Sequence, residues 1–177
     1  MNGVRVLYTA EEIDARVAEL AARITEEYAG RDVALVGILK GAAFLLADLA
    51  RHIRMPLHFE FVDVTASRGE RGEVVSLTYA THFNLKGRHV LILKDVLHTG
   101  VTENYLITHL TQLEPASIEI LALVDKPQLR SVNLAARYSV FTEIPEGYLV
   151  GYGLGSDTDE HVNRPELCLV ETAAPSS

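Results

Sequence analysis

The sequence predicts an α/β fold built on a mostly parallel sheet. Three observations lead there. Apolar runs of strand length recur, VALVGIL at 33–39, HVLIL at 89–93 and SIEILALVD at 117–125. Continuous runs of this kind suit central strands covered on both faces. Segments with helical spacing stand between them, and the alternation of strand and helix has the spacing of βαβ units.

The elements follow in order. Val4–Tyr8 is a short strand candidate. Thr9, Ala10, Glu11 and Glu12 form a capping box, with Thr9 as N-cap and Glu12 three residues on. Ile13, Val17, Leu20, Ile24 and Tyr28 then recur at helical spacing, and Gly30 is the expected stop. After the strand at 33–39, Lys40 and Gly41 break the run, and AAFLLADLARHI reads as a helix ending near His52. LHFEFVDV at 57–64 alternates like a strand. TASRGERGE at 65–73 carries no apolar side chain larger than alanine, which predicts an exposed, mobile loop. VVSLTY is a further strand, and the run ending at Leu93 leads to a helix over about 102–113. RYSVFTEI and GYLVGYGL add short late strands. These are expected to form a small lobe over the sheet edge, and ETAAPSS at 171–177 is expected to be a frayed tail.

Composition narrows the function classes. The 177 residues are 48% hydrophobic, as expected of one globular domain spanning 1–177. A net charge of −8 and a pI near 5.3 argue against a dedicated nucleic-acid partner. The single Cys168 excludes an intrachain disulfide framework and a multi-thiolate metal site. Charged residues recurring from Arg5 to Arg16 do not suit a signal peptide, and no apolar run approaches the length of a membrane span. The expected compartment is therefore the cytoplasm, with no membrane partner.

In open α/β sheets ligands bind beyond the carboxyl ends of the strands. Three such ends carry polar or glycine-containing turns: Lys40-Gly41, the stretch 94–102, and Asp125-Lys126-Pro127. Within LILKDVLHTGVTEN, Thr99, Gly100, Val101 and Thr102 offer hydroxyls and successive backbone N–H groups at a helix start, a cradle that suits phosphate. The plainer reading is a solvent-facing turn with capping threonines. No GxxxxGK[ST] motif is present, so a nucleoside-triphosphate loop is not indicated. Asp95 can accept hydrogen bonds from a sugar diol or hold Mg²⁺ through water. Lys126 can donate to a ligand carbonyl or simply extend its stem over apolar surface. Tyr148 can stack on a planar ring or fill the core, whereas Tyr138, Phe141, Tyr152 and Cys168 read as packing residues. The seven histidines show no metal-ligand spacing.

Taken together, VLILKDVLHTGVT resembles the phosphoribosyl-pyrophosphate-binding motif of type I phosphoribosyltransferases. The ordered motifs GILKGAAFLLADL, VLILKDVLHTGVTENYL, ALVDKPQ and EIPEGYLVGYGL resemble the hypoxanthine-guanine phosphoribosyltransferases in particular, over about 33–169. The resemblance implies a five-stranded parallel sheet flanked by helices, with a small hood to which residues 1–8 and 138–170 contribute. It implies transfer of a phosphoribosyl group to hypoxanthine or guanine in purine salvage, use of Mg²⁺, and a homodimer or homotetramer. By the same resemblance Leu39, Lys40 and Gly41 match the pyrophosphate loop, which often has a cis peptide before the lysine. Asp95 matches the second of two acids that hold the ribose hydroxyls, and is the candidate metal contact. Thr99, Gly100, Val101 and Thr102 match the 5′-phosphate loop. Lys126 matches the lysine that reads the 6-oxo group, Tyr148 the aromatic stacked on the purine, and Leu149 the residue whose backbone faces the base.

Several catalytic charges depart from the family pattern. Lys94 stands in place of Glu, His98 in place of the Asp that handles the purine N7 proton, Gly155 in place of Asp and His161 in place of Arg. Thr65, Ala66, Ser67 and Arg68 stand where a Ser-Tyr pair is usual. His98 is a candidate general base, since its reference pKa is about 6.5. Lys94 either removes an acceptor for ribose and weakens Mg²⁺ binding, or attracts pyrophosphate if it points into the site. Strand alternation places Lys94 and Asp95 on opposite faces unless the strand end twists. The favoured reading is an active purine phosphoribosyltransferase, because both phosphate loops, Lys126 and Tyr148 persist together. The alternatives are a non-catalytic purine-nucleotide-binding or regulatory relative, and an enzyme on another base or phosphorylated sugar. The acidic charge counts against an RNA-binding relative.

Overall fold

In a computed structural model, the described residues are 3–69, 72–79, 84–155 and 161–170. Strand β1 (Val4–Tyr8) leads into helix α1 (Ala10–Glu27), followed by β2 (Val33–Ile38) and α2 (Ala43–His52). Then come β3 (His58–Gly69), β4 (Gly72–Tyr79), β5 (His89–Leu97), α3 (Val101–Thr111) and β6 (Ser117–Asp125). The short strands β7 (Tyr138–Phe141), β8 (Tyr148–Val150) and β9 (Leu167–Val170) complete the order. Among these residues no helix is long and apolar enough to cross a membrane.

The main sheet has six strands in the order β4-β3-β2-β5-β6-β7. Strands β3, β2, β5, β6 and β7 run parallel, and β4 adds an antiparallel edge. Burial on both faces explains the unbroken apolar runs. In β2, Val33 and Leu35 pack with Ile13, Val17 and Ile24 of α1 and Leu45 and Leu49 of α2. Ala34 and Val36, one step out of phase, pack with Leu106 and Leu110 of α3. The strand's period of two thus serves two helical layers.

Two expectations need correction. Among the described residues of the expected loop at 65–73, residues 65–69 and 72–73 are strand: β3 and β4 pair antiparallel as far as Gly69 opposite Gly72. A ladder needs only backbone donors and acceptors, so the lack of apolar side chains did not preclude it. Residues 138–141 do not belong to the hood: β7 pairs in parallel with β6 as the far edge of the main sheet. The hood's sheet is β1-β9-β8, antiparallel throughout. It packs its Leu149, Leu167 and Leu169 into the core shared with α1 and α2. Tyr152 is buried, and its hydroxyl donates to Asp48 of α2 at 2.7 Å. Burial first, and the Asp48 carboxylate second, raise its phenol above the ordinary range. Cys168 is fully buried in β9. The expected tail at 171–177 lies outside the described residues.

Helix α1 begins as its sequence requires. The Thr9 side chain accepts from the Glu12 N–H, and the Glu12 carboxylate accepts from the Thr9 N–H at 2.8 Å. Replacing Thr9 with Ala removes the cap and is expected to cost about 1 kcal/mol of stability, measured as a lower urea midpoint with unchanged slope.

Candidate active site

Because β2, β5 and β6 are neighbours and parallel, their carboxyl ends open at one edge of the sheet. A cleft lies there, lined by Lys94, Asp95, Val96 and His98 after β5, Lys126 after β6, and Gly147, Tyr148, Leu149, Leu154 and Gly155 from the hood side. The candidate purine residues and the candidate catalytic residues therefore share one cavity. Tyr148 keeps 49% of its surface exposed, so its ring is available to a ligand rather than spent in the core. Lys126 is 7% exposed, and its N–H donates to Leu97 O at 3.1 Å, tying the ends of β6 and β5 together.

The loop after β2 reaches the same place. The Leu39–Lys40 peptide is cis. The Leu39 N–H donates to Val62 O and the Ala43 N–H to Lys40 O, anchoring both sides of the turn. Gly41 lies directly against Asp95: a Cβ at position 41 would stand 1.9 Å from Asp95 Oδ2. Glycine is therefore required by the approach of the carboxylate and not by its φ.

The phosphate-cradle candidate is the start of α3. Gly100 is its N-cap, with φ 79°, and as a glycine it offers no capping side chain of its own. The first-turn N–H groups have no intrahelical partners. Val101 is half exposed at this turn. The Thr99 hydroxyl accepts from the Val101 N–H at 3.4 Å, and Thr102 follows on the first turn. Residues 99–102 adjoin the cleft through His98 but are not among its lining residues.

Sequence reasoning missed what holds this turn in place. The Arg130 guanidinium donates to Leu97 O at 3.0 Å, to His98 O, and to Leu134 O at 3.0 Å, and pairs with Asp125. Ser131 N–H donates to Thr99 O at 3.0 Å. The same segment closes over Gly100, where a Cβ would meet Leu134, Val132 and Arg130 at 3.0–3.1 Å. Positive φ and this crowding together demand glycine. The sequence signal was weak, an arginine five residues after a strand-ending aspartate.

Electrostatics at the β5 end differ most from expectation. Along β5, Val90 and Ile92 pack on the α3 side and Leu91 and Leu93 on the α1–α2 side. Val96 packs with the latter set and Leu97 with the former, so the alternation slips by one residue around Lys94 and Asp95. The slip lets both side chains meet. Lys94 Nζ lies 2.9 Å from Asp95 Oδ1 and 3.8 Å from Glu103 Oε1. Glu103, on the first turn of α3, is only 3% exposed and was not foreseen as part of the site. Asp95 Oδ1 also accepts from the Val96 N–H at 2.7 Å.

The resemblance implies Mg²⁺ held by Asp95, but this donor set does not fit it. An ammonium already sits against the carboxylate, and repulsion between unit charges about 4 Å apart is on the order of 4 kcal/mol at an effective dielectric of about 20. A divalent ion would double it. Among the described residues no group of three or more His, Cys, Asp or Glu side chains is arranged to hold a metal. The same cations act on His98. Burial first, then Lys126 and Lys94, push its pKa below 6.5, while Asp95 opposes them. The neutral imidazole, able to accept a proton, is the dominant form at pH 7.

Arg130→Ala leaves Asp125 buried without its cation and takes one donor from each of the carbonyls of residues 97, 98 and 134. The expected cost is about 3 kcal/mol, checked by urea unfolding. Arg130→Lys is expected to recover only part, because an ammonium lacks the planar fork that reaches several acceptors at once.

Comparison with known proteins agrees with this geometry. Residues 5–157 match the family model described as the phosphoribosyl transferase domain. The hypoxanthine-guanine phosphoribosyltransferase of Streptococcus pneumoniae is 38% identical over 152 residues, covering 85% of this chain and 84% of that protein. The Bacillus subtilis enzyme of the same name is 34% identical over 179 residues, covering 98% and 96%. A crystal structure of a hypoxanthine-guanine phosphoribosyltransferase from Bacillus anthracis superposes with a TM-score of 0.86 at 29% identity, over 96% of this chain and 99% of that one. A Staphylococcus aureus hypoxanthine phosphoribosyltransferase gives 0.85 at 32%, over 94% and 91%. With its parallel sheet, its hood and the cleft between them, the chain belongs to the hypoxanthine-guanine phosphoribosyltransferase family.

Proposed function

We propose that this chain transfers the 5-phosphoribosyl group of phosphoribosyl pyrophosphate to hypoxanthine or guanine, giving IMP or GMP and pyrophosphate. The observation that carries the reading is the single cleft bearing Asp95, His98, Lys126 and Tyr148, closed by the hood. The purine stacks on Tyr148, the Lys126 ammonium donates to its 6-oxo group, and the Leu149 backbone faces its edge. Asp95 accepts from a ribose hydroxyl. The 5′-phosphate takes the N–H groups at the start of α3 with the Thr99 and Thr102 hydroxyls, aided by the helix dipole. Leu39, Lys40 and Gly41 form the cradle for pyrophosphate.

The reaction forms a bond from the purine N9 to C1 of the ribose and breaks the bond from C1 to the pyrophosphate oxygen. Pyrophosphate carries away the electron pair, and positive charge develops on the sugar. The proton leaving purine N7 passes to the neutral His98 imidazole. Positioning of the two partners and neutralisation of the leaving group supply most of the remaining effect. Mg²⁺ belongs to the substrate in this reading, bound to pyrophosphate oxygens, as it commonly is in phosphate-handling sites. The net negative charge agrees with a cytoplasmic protein that takes neither nucleic acid nor membrane as partner, and a homodimer or homotetramer is the proposed assembly.

Turnover with hypoxanthine, guanine, xanthine and adenine, each with Mg²⁺ and phosphoribosyl pyrophosphate, tests the reading. Nucleotide formation with a 6-oxopurine is the expected result. Binding of GMP without turnover of any base would instead support a non-catalytic nucleotide-binding relative. His98→Ala is expected to lower kcat about 10²–10⁴-fold. Because the base must be unprotonated, kcat/KM rises with pH through the free-enzyme His98 pKa, so its acid limb has a midpoint below 6.5. Lys94→Gln removes one repelling cation and is expected to move that limb to higher pH. A limb unmoved by both His98→Ala and Lys94→Gln would remove His98 from the mechanism.

A further inference from the structure

The Lys94 ammonium lies between two carboxylates that come from different elements. Asp95 follows it on β5, and Glu103 stands on the first turn of α3. Both make ion pairs with the one nitrogen, at 2.9 and 3.8 Å. The Glu103 side chain is 4% exposed, and a buried carboxylate is strongly unfavourable without a cationic partner.

We propose that Lys94 is a tethered cation that does at this strand end what a protein-bound divalent metal would otherwise do, and that Glu103 is the positioning residue that holds it there. Three observations converge. The Asp95 oxygens are already surrounded, Oδ1 by Lys94 Nζ and the Val96 N–H, and Oδ2 by the close-packed Gly41. The slip of alternation in β5 falls at Lys94 and Asp95, whose side chains meet, and the same ammonium reaches Glu103. Glu103 also sits on the first turn of α3, where its own negative charge would oppose an anion. Pairing with Lys94 offsets part of that charge, so that it opposes phosphate at the helix end less. Removal of the ammonium alone leaves two carboxylates converging on one point, a donor set that invites a divalent cation.

The placement of Lys94 beside a substrate follows from the proposed transferase reading, but the test does not depend on turnover. Ligand-free protein is titrated with Mn²⁺, followed by calorimetry and by water-proton relaxation, with a thermal melt to verify that each variant is folded. Wild type is expected to show no saturable site. Lys94→Gln is expected to gain one, at least about tenfold tighter than any residual wild-type binding, equivalent to about 1.4 kcal/mol. The double variant Lys94→Gln with Glu103→Gln is expected to lose it again. Saturable Mn²⁺ binding by wild type that disappears in Asp95→Asn would overturn the inference, as would a Lys94→Gln protein that gains no site. A double variant that keeps the site would remove Glu103 from the device. Absence of transferase activity alongside the expected Mn²⁺ pattern would count against the transferase reading alone.

Discussion

The cleft depends on one constraint, the parallel pairing of β2, β5 and β6 with both faces of each strand buried. A strand packed against α1 and α2 on one side and α3 on the other cannot reverse or slip without exposing half its side chains. Parallel direction then delivers three chain crossings to the same edge. The turn after β2 leads to the start of α2 and the turn after β5 to the start of α3, so helix N-termini and polar strand ends meet there. The hood adds the last wall, pinned through its leucines and through Tyr152 to Asp48. The framework carries the hydrophobic stabilisation, and the loops are left free to carry chemistry.

Loops with little core of their own need other support. Arg130 supplies it for the turn after β5, spanning carbonyls at 97, 98 and 134 while Asp125 balances its charge. A guanidinium can do this because its donors lie in one rigid plane. The two strict glycines serve the same end in different ways. Gly100 turns the chain with a positive φ under a covering segment, and Gly41 leaves room for a carboxylate.

The charges of the cleft act as a set. Read singly, Lys94 in place of an acid looks like the loss of a function. In space it is balanced by Asp95 and by a buried glutamate nine residues on, and it helps keep His98 neutral. Substituting position 94 alone leaves two carboxylates without their shared cation in a poorly solvated place, so positions 94 and 103 are coupled energetically.

Much of this was legible from residue order. The buried strands announced themselves as unbroken apolar runs, the α1 start as a capping box, and the three strand ends as polar turns. Each depends on neighbours close in the chain, whose periodicity and backbone preferences are local properties. The pairing of 65–69 with β4 was not visible, since backbone pairing leaves no mark on side-chain composition. Nor was the place of YSVF in the main sheet, because a short alternating strand looks the same whichever partner it pairs with. Glu103 resembled an ordinary acid at a helix start, and Arg130 an ordinary loop cation. The sequence by itself determined the layers, the edge where the site lies, and the identity of most residues around it. Only the tertiary structure decided which charges face one another, because the slip in β5 and the seating of α3 set distances between side chains that chain order does not encode.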